Sequence, residues 1–90
     1  MTTIKSFDLG SNTTKTVTIR MPMAYGILSV QMGKSNPVLW IRADDDAAVM
    51  ERTFRFVREN ETVELDEKNY MFIGALVLHN NEYIHIFEVR

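Results

Sequence analysis

The 90-residue chain contains no cysteine, one tryptophan, two prolines and four glycines, and neither sign of charge dominates it. Without cysteine there are no disulfides and no cysteine-ligated zinc, a composition compatible with a reducing compartment. No run approaches the roughly 20 apolar residues that a spanning helix needs. The opening Met1-Thr2-Thr3-Ile4-Lys5-Ser6 lacks the apolar core of a secretory leader. The expectation is a soluble cytoplasmic protein that has no membrane contact. The glycines form no phosphate-cradling loop. Ten basic side chains against twelve acidic ones give a net charge of −2, so there is no overall attraction to phosphate backbones or anionic lipid, and nucleic acid is not an expected partner.

What the chain does have is apolar content, 46% of its residues, enough for one domain over residues 1–90. A domain of this size buries only roughly 60–65% of its unfolded surface, so its stability is modest or shared with a second copy.

The strongest local signal runs from Gly26 to Asp44. Gly33-Lys34-Ser35-Asn36 supplies turn residues between two apolar runs, and Pro37 suits the first position of a strand. With Lys34-Ser35 at the tip, Met32 faces Pro37 and Val30 faces Leu39. Leu28, Val30 and Met32 then share a core face with Leu39, Ile41 and Ala43. The opposite face carries Ile27, Ser29, Gln31, Val38, Trp40 and Arg42, a large aromatic among polar groups.

Elsewhere, Thr3 to Leu9 alternates loosely, as an edge strand does, and Gly10-Ser11-Asn12-Thr13 follows as a turn. In Thr14 to Met21, Val17, Ile19 and Met21 fall on one face. Pro22 ends that strand, and Met23 to Gly26 bends into the hairpin. Ala47, Met50, Phe54 and Val57 fit a helical stripe. Thr53-Phe54-Arg55-Phe56-Val57, however, is β-branched and aromatic with a period of two. We take a turn or helical turn near 45–50 and a strand over roughly 51–58, followed by a charged loop from Glu59 to Asn69. Tyr70 to His79 and Tyr83 to Arg90 flank Asn80-Asn81. A two-residue turn there sets Leu76 against His85 and Leu78 against Tyr83. Both faces of this hairpin are apolar, so its second face needs a cover within the domain or in a homodimer. The fold class is all-β: a small antiparallel sandwich or partly open barrel of about six to seven strands.

Met21-Pro22, Ile27-Leu28-Ser29-Val30-Gln31, Leu39-Trp40, Phe54-Arg55, Tyr70 with Phe72-Ile73-Gly74, and His85-Ile86-Phe87-Glu88-Val89 together resemble a family of small, functionally uncharacterised all-β proteins encoded mainly by bacteriophages and prophages. The resemblance spans nearly the whole chain and rests on short, largely structural motifs. Many members continue after Phe54-Arg55 into a Thr-Gly turn, where this chain has Val57-Arg58-Glu59-Asn60-Glu61. The resemblance implies a phage accessory setting in the host cytoplasm, where small binding proteins blunt host defences. It assigns no catalytic residue.

No group of residues points to catalysis or to a cofactor. Asp44-Asp45-Asp46 lacks the spacing and the distant glutamate of a calcium loop and reads as a solvated turn. His79 and His85 are the only imidazoles, and no serine has a histidine or a nucleophile elbow near it in sequence. His85, among Leu76, Tyr83 and Phe87, reads as a core histidine. Arg52, Arg55 and Arg58 divide between the faces of a strand and read as ion-paired with Glu51, Glu59 and Glu61. The binding candidates are Trp40, Arg42 and Gln31, with Arg55 and Tyr25. The expected function is a non-enzymatic binding protein that inhibits a host protein by direct contact. One alternative is an oligomeric sponge for a nucleotide signal, with Trp40 or Tyr25 stacking the base and Arg42 or Arg55 meeting phosphate. Another is a structural or assembly module of the virion.

Overall fold

A computed structural model of the protein describes residues 1–10, 15–22, 24–44 and 46–90, and the side chains of residues 24 and 25 lie outside that description. The turn expected at Gly10 to Thr13 therefore falls mostly outside the described residues, as do Met23 and Asp45.

Seven strands are present among the described residues: β1 (Thr2–Asp8), β2 (Thr16–Pro22), β3 (Ala24–Met32), β4 (Pro37–Asp44), β5 (Val49–Arg58), β6 (Tyr70–Val77) and β7 (Tyr83–Val89). All pairings are antiparallel. They form a three-stranded sheet of order β1-β4-β3 and a four-stranded sheet of order β2-β5-β7-β6. The short axis of the molecule is 17 Å, which suits two sheets stacked about 10 Å apart. Leu39, Ile41, Ala43 and Val30 from the first sheet meet Phe54, Phe56, Leu76, Ile84, Ile86 and Met21 from the second in one apolar cluster. The architecture is a partly open sandwich. Its two sheets draw together where edge strand β3 lies against edge strand β6.

The ambiguous stretch resolves as a strand because Phe54 and Phe56 alternate into the core. What precedes it is a single turn, in which the Ala47 N–H donates to the Asp44 carbonyl at 3.0 Å, and the strand begins at Val49. Glu59 to Asn69 carries no regular strand. The bend expected from Met23 to Gly26 gives way to a strand that already begins at Ala24.

The β3–β4 hairpin has the expected register near its tip. Gly33 N–H donates to the Asn36 carbonyl at 2.8 Å, Met32 pairs with Pro37 and Val30 with Leu39. A Cβ on Gly33 would lie 2.6 Å from Val38 Cγ2 and 2.8 Å from the Asn36 carbonyl oxygen, so only glycine fits this turn. Farther from the tip the register shifts between Ile27 and Ser29. This bulge corrects the expected faces: Ile27, not Leu28, pairs with Ile41 and packs on the core, and Leu28 is half exposed. One extra residue in a strand reverses the alternation beyond it.

The β6–β7 hairpin is also corrected. Leu76 pairs with Ile84, Ala75 with His85 and Val77 with Tyr83. The loop is three residues long, His79-Asn80-Asn81, closed by Leu78 N–H donating to the Glu82 carbonyl at 2.8 Å. Asn81 takes the left-handed backbone, φ 68°, as the last residue of such a loop does. The one-residue slip sends Leu76, Ile84 and Ile86 inward and turns His85 out to solvent, so it is not the core histidine that the two-residue turn implied.

Candidate binding surface

The outer face of the three-stranded sheet follows from its register. Ser6 and Ser29 flank Trp40 on either side, Ile4 and Gly26 flank Arg42, and Asp8 and Gln31 flank Val38. These residues share one face because directly paired residues point the same way. Leu39, Ile41 and Ala43 alternate with them and are fully buried. β4 is the central strand of its sheet, so backbone pairing on both sides holds the Trp40 backbone in place while 37% of the residue remains exposed. Ile4 is 63% exposed. The face therefore has an aromatic centre, an aliphatic neighbour, two hydroxyls, an amide and a guanidinium. At its turn end Asp8 accepts from Gly10 N–H at 2.7 Å and from Asn36 Nδ2 at 3.1 and 3.2 Å, which ties β1 to the β3–β4 turn.

Trp40, Arg42 and Gln31 are thus brought together, as the alternation of β3 and β4 implied. Arg55 is not with them. It lies on the outer face of the other sheet, opposite Phe87, and its Nη2 meets Glu61 Oε2 at 2.7 Å. Tyr25 is in β3, and its side chain lies outside the described residues. Of the groups expected to meet a nucleotide, Trp40 and Arg42 share a face and Arg55 is separated from them. Ile4 on this surface was missed, because the weak alternation of β1 does not reveal which strand it joins.

The other chemistry-bearing side chains lie elsewhere. His79 Nε2–H donates to the Lys34 carbonyl at 2.9 Å, linking the two hairpin tips. His85 stands on the outer face of the four-stranded sheet, 6.3 Å from the Phe72 ring. Neither imidazole is beside Ser6 or Ser29. Of the three arginines spaced by three, Arg55 has the glutamate partner expected of it. Arg58 pairs with Glu82 and Arg52 with Glu88, both partners contributed by the last hairpin region. Among the described residues no cluster of three or more histidine, aspartate or glutamate side chains could hold a metal ion. No helix there is long and apolar enough to cross a membrane. The Asp66 carboxyl titrates below its ordinary value, chiefly because the Asn69 side-chain amide donates to it, aided by backbone N–H groups of the same turn.

A family described as a domain of unknown function (DUF7352) matches residues 1–90. The chain belongs to that family. Comparison with curated proteins and with solved structures found no significant match.

Proposed function

We propose that this DUF7352 protein is a non-catalytic binding module that inhibits a host protein by direct contact through the Trp40 face. The supporting observation is the position of Trp40: the middle of a central strand, partly exposed, with Ser6 and Ser29 beside it and Arg42 and Gln31 on the same face. Protein contacts concentrate their energy in such aromatic and arginine anchors, set among polar neighbours that exclude water. The surface is mixed in character, which suits a partner that is bound and released rather than a permanent subunit. The resemblance to phage-encoded proteins supplies the setting, a host cytoplasm containing defence proteins.

The test is phage growth on a host carrying a defence system that the wild-type protein blunts. Trp40→Ala and Arg42→Ala are expected to abolish protection while circular dichroism and melting stay close to wild type. Full protection by both folded variants would reject this surface. Calorimetry against cyclic nucleotides separates the sponge alternative, which requires heat of binding that Trp40→Ala removes. Recovery of the protein from purified particles would favour the virion module instead.

A further inference from the structure

We propose that the outer face of the β6–β7 hairpin is a two-fold interface between two copies of this chain. The face is set by the register: Phe72 beside Phe87, Ala75 beside His85, Val77 beside Tyr83. Phe72 is 55% exposed, Tyr83 57% and Val77 40%, three of the large apolar side chains exposed among the described residues, all on this one face. Phe72 and Phe87 already meet edge to face at 5.4 Å, so the rings are ordered against one another before any partner arrives.

Area and composition select a second copy. An aromatic side chain buries about 150–250 Å² when covered. Half of two such rings, with Val77 and its neighbours, makes an apolar centre of roughly 300–400 Å². A stable dimer covers roughly 800 Å² per subunit, an apolar core inside a polar margin. That margin is present at both ends. One groove, about 360 Å³, joins Tyr83 to Arg58, Glu59 and Glu82. The other, about 520 Å³, joins Phe72 and Phe87 to Leu65, Glu67 and Arg90. Arg55, beside Phe87, is bound to Glu61 at 2.7 Å and only 16% exposed, so the centre presents little charge, as the cores of permanent self-interfaces do, whereas the Trp40 face carries the charge and amide typical of an exchangeable contact.

Charge sets the direction of the two-fold. At the Tyr83 end two glutamates outnumber Arg58, while at the Phe72 end Arg90 stands beside Glu67. An axis lying across the strands through the Ala75–His85 row places each copy's Tyr83 and Val77 over the partner's Phe72 and Phe87. It also brings Arg90 toward the partner's Glu59. An axis along the strands would set like ends together.

Sedimentation and light scattering over a concentration series are expected to give a dimer for the wild type. Phe72→Glu and Tyr83→Glu, each with a melting curve to confirm folding, should give monomers. Because the chain has no cysteine, A75C lies near the axis as a lone thiol and should be joined into a covalent dimer by a short bis-maleimide. T18C, on the same sheet but on edge strand β2, should not. A wild type that stays monomeric at high micromolar concentration would overturn the interface. So would dimers indifferent to both glutamates, or equal cross-linking of A75C and T18C. None of these outcomes bears on the Trp40 face.

Discussion

Arg52 and Glu88 form a two-point fork on the inner face of the four-stranded sheet: Nε meets Oε2 at 2.8 Å and Nη2 meets Oε1 at 2.9 Å. Their side chains are only 14% and 11% exposed, and Glu88 pairs across the ladder with Phe54. The geometry is that of a charge-assisted pair, yet Arg52 Nη1 is buried with no partner. Removing one partner from such a pair leaves an uncompensated charge, whereas replacing both with apolar groups removes the desolvation cost of both. Glu88→Ala is therefore expected to lower unfolding free energy by about 3 kcal/mol or more in urea melts. The double variant Arg52→Met with Glu88→Leu should recover most of that loss; a double variant as unstable as Glu88→Ala would refute this account.

Gly74 marks where β6 meets β3. A Cβ there would run into Val30 Cγ1, and Val30 belongs to the core. Gly74→Ala is expected to cost about 1–3 kcal/mol by overpacking. Val30→Ala in the same chain should make the Gly74 substitution much cheaper, a coupling that a double-mutant cycle measures directly.

Trp40 is the only tryptophan, so its emission reports on the proposed contact surface alone. Partial exposure predicts a red-shifted maximum that acrylamide quenches readily. Binding of the partner should shift it to the blue and protect it. Trp40→Ala is expected to cost about 1 kcal/mol or less in stability, the scale of an exposed cross-strand contact.

Asn81 carries the left-handed backbone of the β6–β7 loop. Asn81→Ala forces a Cβ-bearing residue without a local amide into that conformation and should cost about 1 kcal/mol in thermal or chemical melts. Asn81→Gly should be tolerated better.

The Asp66 carboxyl is held below its ordinary value of 3.8 by its hydrogen bond from the Asn69 side chain. A depressed folded-state pKa means that the turn's contribution is complete above the unfolded value and fades as pH falls through the folded one. Asn69→Ala should therefore move the Asp66 titration upward toward 3.8, followed by carbon NMR of the carboxyl.

Much of the plan was visible in residue order alone. Period-two alternation located the seven extended segments to within a few residues, Gly33 to Pro37 gave the central turn, and the face carrying Trp40, Arg42 and Gln31 followed from it. These features depend on neighbours a few positions apart, and local sterics and turn chemistry act over that range. The extra residue in β3, the three-residue loop at Asn81, the Arg52–Glu88 fork across 36 positions and the separation of Arg55 from Trp40 depend on how paired strands and facing sheets meet. Alternation shows which residues of one strand share a side. Which side faces inward, and beside which strand it lies, is settled only when two sheets bury their apolar faces against each other.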